Sequence, residues 1–289
     1  METIGSQKIW TFPGRSTAIE PLTCSAIRKE PAHKVGTYME LATKVAELQF
    51  RNRDFVLMFR GQSGDHRNRS NYTSLKATLL RAMTSNKIPT ESELDRRFAK
   101  LIEAERALVA EYDQRKLLGR DRLRRQRILR WAILQHYEVC PTPLLDVTQS
   151  LRIAASFASH NANGEAFVFV LGIPHVSGAI TASAEAGLQI VRLASVCPPS
   201  AVRPHIQEGY LLGEYPDCAD AEQKLHYSHA EMDFGRRLIA KFRFEPARFW
   251  DKSGNFPMVG EAALYPRSSQ DPMFELATAV KAAISEHSV

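Results

Sequence analysis

The sequence predicts an α+β fold, and three observations carry that prediction. Helix-like periodicity is concentrated in the first half of the 289 residues, whereas short apolar runs punctuated by Gly and Pro dominate the second. Two of the apolar runs, Phe55–Phe59 and Ala166–Leu171, are too short for buried helices and read as central strands. Strands that follow a run of helices instead of alternating with them argue against a doubly wound sheet, and no internal repeat is visible.

In chain order, residues 1–34 carry Pro13, Pro21 and Pro31 among mixed polarity and read as an irregular N-terminal arm. The remainder, 35–289, reads as one domain with a helical insert at about 74–137. Tyr38–Phe50 has amphipathic spacing and leads into the strand that ends Phe59-Arg60-Gly61-Gln62. After a polar loop, Ser63–Thr73, helix is expected for Ser74–Met83, with a break at Ser85–Pro89. Glu91–Tyr112 is a long helix with Leu94, Phe98, Leu101, Ile102, Ala104 and Leu108 near helical spacing. A second long helix ends at Tyr137, closed by Cys140-Pro141-Thr142-Pro143. Leu144-Leu145 then meets a polar cluster of Asp146, Thr148, Gln149 and Ser150, followed by the small-residue helix Ile153–Ala158. Leu188–Val196, Pro204–Leu212 and Ala240–Phe244 read as strands, and Met273–Ile284 as a closing helix.

A strand that ends in hydroxyls and a carboxylate and turns at once into an Ala-rich helix builds the floor of many ligand clefts. The same residues equally serve as plain caps for the next helix. Arg60, at the end of a buried strand, needs an anionic partner or solvent. That partner is either a bound phosphate or carboxylate, or the chain's own Asp146. Gly61 allows close backbone approach at this point.

Phe59-Arg60-Gly61-Gln62, Gln135-His136-Tyr137, Pro141-Thr142, Leu144-Leu145-Asp146, Thr148 and Ala154–Ala158 together resemble the FRG domain family, over roughly residues 35–275. A later Gln-x-Gly of that pattern is matched by Gln207-Glu208-Gly209. Where the family commonly runs His-Tyr-Gly and Asp-Trp-Thr, this chain has Glu138 after Tyr137 and Val147 before Thr148.

The order of the three motifs is more distantly similar to the Arg-Ser-Glu class of ADP-ribosyltransferases. That resemblance implies a split β-sheet core and NAD as substrate. Arg60, with Gly61, Gln62, His136 and Tyr137, would hold the dinucleotide. Thr148 and Ser150 would brace ribose hydroxyls, Asp146 would orient Arg60 or the acceptor, and Glu208 or Gln207 would stabilise the ribosyl cation. The class expects an acid where Gly209 stands, which leaves Glu208 as the nearest carboxylate. Loss of nicotinamide passes through an oxocarbenium-like cation, so a fixed anion beside it is the chemical requirement. The expectation is an NAD-dependent transferase, a toxin or phage-defence effector acting on nucleic acid. Its alternative is a non-catalytic nucleotide- or nucleic-acid-binding module.

Charge narrows the partners. The net charge is +6, and Arg115, Lys116, Arg120, Arg122, Arg124, Arg125, Arg127 and Arg130 fall in one segment, opposed there by Asp113 and Asp121. Such a run usually forms a solvated helix face. Arg120, Arg124, Arg125 and Arg127 would otherwise track nucleic-acid phosphates, with an acidic, neutralising protein as the competing partner. Cys24, Cys140, Cys197 and Cys218 have no metal or CxxC spacing and read as reduced thiols of a cytoplasmic protein. His226-x-x-His229 lacks further ligands, so no metal is expected, and no carboxylate cluster suggests a nuclease. The chain has no apolar run near 18 residues, and Met1–Glu30 has no apolar stretch of a secretory signal.

Overall fold

The apolar runs pair into one eight-stranded sheet. β4 (Val56–Gln62) lies antiparallel to β6 (Ala166–Ile173), in register from Val56↔Ile173 to Gln62↔Phe167. β10 (Leu238–Phe244) covers the far side of β6, and the short β3 (His33–Lys34) adds to β10 in parallel. β5 (Leu145–Thr148) pairs with β9 (Gly209–Glu214), followed by β8 (Leu188–Arg192) and β7 (Ile180–Ser183). The strand order is β3-β10-β6-β4-β5-β9-β8-β7. Its two halves meet through the single pair Phe59↔Thr148 between β4 and β5. The structure is a computed structural model and describes residues 4, 7–82, 89–160, 162–218, 220, 222–223, 233–250, 256–267 and 270–286.

Helices cover the sheet. α2 (Tyr38–Arg51) starts at Thr37, whose hydroxyl accepts from the Glu40 amide at 3.1 Å, and it buries Leu41, Val45 and Leu48. α3 (Glu91–Gln114) buries Leu94, Phe98, Leu101, Ala104 and Leu108, and packs against the closing helix Pro272–Glu286. α6 (Leu151–His160) lies on β4 so tightly that a Cβ on Gly61 would sit 1.9 Å from the Ala154 carbonyl oxygen. Gly61 is therefore demanded by helix-on-strand contact.

Several local expectations are corrected. Residues 8–29 hold regular structure: β1 (Lys8–Thr11) and β2 (Glu20–Thr23) form a hairpin, and α1 (Cys24–Lys29) follows. Asn52 supports it by exchanging hydrogen bonds with the Trp10 main chain, both at 3.0 Å, and Pro21 is tolerated because this ribbon is all edge. Within 74–83 the only helical piece described is a 3-10 turn at Thr78–Leu80, and ahead of it Thr73, Leu75 and Ala77 are buried at the alternation of an extended chain. The expected break at Ser85–Pro89 lies almost wholly outside the described residues, as does the His226/His229 pair.

The helix expected to end at Tyr137 is two helices, α4 (Arg120–Arg125) and α5 (Arg127–His136), divided by an extended Gln126. Leu123 and Ile128 are both buried but five residues apart, roughly 140° around a continuous helix, so one helix cannot bury both on the same side. Beyond β8 the chain makes α7 (Leu193–Val196), and before β9 it makes α8 (Arg203–Ile206) with Pro204 in the first turn, where a missing amide costs nothing. Gln207 and Glu208 thus stand on a turn ahead of the strand and not within it.

All four cysteines are buried and unpaired. Burial pushes the Cys24 thiol up to about 11 and those of Cys140 and Cys197 up to about 12. No helix among the described residues is long and apolar enough to cross a membrane. Gly61→Ala should lose at least about 2 kcal/mol of unfolding free energy in urea titration, since its Cβ meets helix backbone that cannot yield.

Candidate active site

Where β4 and β5 part, a cleft of about 490 Å3 opens. From β4 it receives Phe59, Arg60, Gly61 and Gln62. Gln135 and His136 enter from the end of α5, Asp146 and Thr148 from β5, and Arg203, Gln207 and Gly209 from the approach to β9, with Tyr265 closing one side.

The floor is a hydrogen-bonded chain. Arg60 Nη1 donates to the main-chain carbonyl of Asp146, two residues before the paired Thr148. The Asp146 carboxylate accepts from Gln135 Nε2 at 2.7 Å, and Gln135 Oε1 accepts from the Thr142 hydroxyl at 2.8 Å. Gln135, Thr142, Asp146 and Arg60 are therefore one connected unit. Burial lowers the Arg60 guanidinium to about 10, with Asp146 opposing the shift, so it stays charged at neutral pH. Its Nε and the Gln62 Oε1 are buried without a partner among the described residues. Burial raises the Asp146 carboxyl above the usual carboxylate value, against the pull of Arg60 and Gln135, while 40% of its side-chain surface opens onto the cleft.

His136 lies with Nδ1 4.0 Å from Asp146 Oδ1, and its Nε2 is also unpartnered. Burial and the nearby Arg203 hold it well below the ordinary imidazole value, so the ring is neutral at physiological pH. The Tyr137 hydroxyl instead donates to buried Asp271 at 2.9 Å, which in turn accepts from the amides of Arg203 and Met273. Tyr137 thereby joins the closing helix to α8 and does not line the cleft.

The hydroxyl pair divides likewise. Thr148 Oγ1 donates to the Gln207 carbonyl at 2.8 Å and accepts from the Ser150 amide at 3.0 Å, so it ties β5 to the turn before β9. Ser150 begins α6 by offering its carbonyl to Ala154 and does not line the cleft. Gln207 reaches the cleft wall, its amide donating to the Leu264 carbonyl at 2.7 Å. Glu208 does not: it is exposed on left-handed backbone (φ 44) and absent from the lining. Nor is there room for an acid at the next position, since a Cβ on Gly209 would stand 2.8 Å from Leu193 Cδ1 and 3.3 Å from the His136 ring. Of the residues expected together, Arg60, Asp146, Thr148 and Gln207 converge across about 150 positions of sequence.

Sequence reasoning missed Arg203 and Tyr265 altogether, and gave Glu138 no role. Glu138 follows α5 in left-handed conformation (φ 54), the conformation a glycine adopts without strain, and its carboxylate meets Arg203 Nη2 at 2.7 Å. The only signal was that a charged residue stood where the family pattern has glycine. The expected arginine surface is also partly spent: Arg124 pairs with Asp113 at 2.6 Å, and Arg127 and Arg130 turn to buried Glu105 at 3.7 and 2.6 Å. Among the described residues no cluster of side chains can hold a metal.

Residues 56–166 match the family model described as FRG domain. The match begins with β4 and ends as β6 begins, so it includes Arg60, Gln135, His136, Asp146 and Thr148 and leaves out Gln207-Glu208-Gly209. Searches of curated proteins and of solved structures found no match.

His136 binds a proton in the unfolded chain at its ordinary value but not in the fold, and His33 is shifted the same way. Stability is therefore fully present above about pH 6.5 and falls below it, by up to about 1.4 kcal/mol per pH unit for each such group. Urea titrations from pH 7.5 to 5 should show this slope, and His136→Gln should remove one group's share of it.

Proposed function

Residues 56–166 match the FRG domain model, and on that premise we propose that the cleft takes NAD and transfers ADP-ribose from it. The observation that carries the reading is Arg60: a charged, half-buried guanidinium whose buried Nε has no partner among the described residues, fixed beside a carboxylate that opens onto the same cleft. A planar fork held this way suits a phosphate oxygen. The unpartnered amide oxygen of Gln62 suits a ribose hydroxyl.

In this reading Asp146 takes the part that sequence order assigned to Glu208. As the bond from ribose C1′ to nicotinamide breaks, the pair of electrons leaves with nicotinamide and positive charge builds on the ribose. A preorganised anion lowers the barrier by stabilising that charge. The acceptor's nucleophile then bonds C1′ and gives up a proton to the Asp146 carboxylate, whose raised pKa suits it to act as the base. Arg60 orients, Thr148 and Gln207 hold the two strand ends together, and neutral His136 adds no competing charge.

Three observations favour a second reading, a non-catalytic nucleotide-binding module. Glu208 lies outside the cleft, Gly209 leaves no space for an acid, and Asp146 is already engaged by Gln135. Turnover separates the two. With labelled NAD and calorimetry, Arg60→Ala should weaken NAD binding about tenfold to a hundredfold, the worth of hydrogen bonds to a charged group. Asp146→Asn should keep binding while raising the barrier by about 2–4 kcal/mol, and Glu208→Gln should change neither. Turnover that survives both Arg60→Ala and Asp146→Asn would sink the transferase reading. Binding without any turnover supports the module.

Nucleic acid as acceptor draws support from Lys116, Arg120, Arg122 and Arg125, which make no ion pair among the described residues and border one shallow depression with exposed Leu118. Reversing Arg120, Arg122 and Arg125 should weaken nucleic-acid binding and flatten its salt dependence by about 0.9 counterion per lost duplex phosphate contact. An unchanged slope in filter binding at several salt concentrations would make the run a solvated helix face.

A further inference from the structure

The cleft holds a second arginine. Arg203 is 7% exposed, with its guanidinium 4.6 Å from the Tyr265 ring centroid and 5.6 Å from that of Tyr137. Its own amide is anchored on Asp271 at 2.9 Å. Two rings and a fixed backbone leave the planar head little freedom, which is the condition for binding an anion without ordering a long side chain first. One donor of that head, Nη2, meets Glu138 Oε1 at 2.7 Å, and the buried Nε has no partner among the described residues.

Glu138 is built differently from Arg203. Its side chain is 61% exposed and its backbone is left-handed, so the carboxylate leans over the cleft mouth from a strained turn. An ion pair with one partner in solvent is weakly held. A phosphate oxygen offers Arg203 a stronger, charge-assisted partner. Charge makes the same point. Arg60 and Arg203 face Asp146 and Glu138 across the cleft, a balanced set, and turning Glu138 out to water leaves one net positive charge facing the ligand.

We propose that Arg203 binds a second anionic group of the ligand, and that Glu138 occupies Arg203 until that group displaces it. The ligand class is then a nucleoside diphosphate or its esters in preference to a monophosphate. This rests on the reading of Arg60 as the first phosphate contact, and it adds a specificity residue and an internal competitor to that site. A ligand with one phosphate uses Arg60 alone and leaves the Glu138–Arg203 pair intact.

The test is calorimetric titration of adenosine diphosphate and adenosine monophosphate into the wild-type chain, Arg203→Met, Glu138→Gln and Arg60→Ala. The diphosphate should bind more tightly than the monophosphate, and Arg203→Met should cancel that advantage with a loss of about tenfold or more. Monophosphate binding should be almost unmoved by Arg203→Met and weakened by Arg60→Ala. Glu138→Gln should tighten the diphosphate by about threefold to tenfold and leave the monophosphate unchanged, since only the competitor is removed. Should buried Arg203→Met not fold, exposed Glu138→Gln decides with an effect of opposite sign. Equal binding of the two nucleotides, with Glu138→Gln without effect or weakening, overturns the second subsite. If Arg60→Ala still weakens both in that case, the first phosphate contact stands alone. Failure of both nucleotides to bind overturns the two readings together.

Discussion

The hydrogen bond from the Arg60 guanidinium to the Asp146 carbonyl is where the two halves of the sheet are held at the point they separate. β4 and β5 share one residue pair, Phe59↔Thr148, and beyond it the Asp146 carbonyl is met by a side chain. A buried carbonyl left without a donor costs about 1–3 kcal/mol, so the guanidinium fills a need the strands create by diverging. Lysine could not do this and still present a planar fork to the cleft, because only arginine has donors to divide between a carbonyl and a ligand. The opening of the sheet, the partial burial of a cation and the exposure of the Asp146 carboxylate are consequences of one geometry.

The core strands were legible because their chemistry is local. Val56–Phe59 and Ala166–Leu171 are apolar without interruption, and an uninterrupted run of that length has few alternatives to a central strand. The convergence of Arg60 with Asp146 was legible too, since a cation at a buried strand end must be answered by something. What could not be read was decided by contacts distant in sequence. Glu208 and Gly209 are adjacent, yet one stands in solvent and the other against the His136 ring, a difference made by Leu193 and α5. Part of the arginine run was hidden for the same reason: Glu105, from a different helix, pairs with Arg127 and Arg130.

Glu138 shows how a departure from a family pattern can be physically specific. A helix that ends with a left-handed residue favours glycine, and a side chain there costs roughly 1–2 kcal/mol. Here the side chain reaches an arginine wedged between two tyrosines. Backbone strain beside a polar cleft is commonly retained where the side chain has work to do there.

The family match spans less than the structure needs to stand. Between residues 56 and 166 the sheet contributes β4, β5 and the first residue of β6, so the matched stretch holds two strands joined at one pair. A chain trimmed to those limits would strip β4 of its partner β6 and β5 of its partner β9. Both strands would become bare edges, with Leu57, Met58, Leu145 and Val147 turned to water. The segment that matches the family model is thus not one that can be excised and expressed on its own. Recognition across sequences and cooperative folding have different boundaries in this chain, and a usable fragment must run at least from β4 through β10.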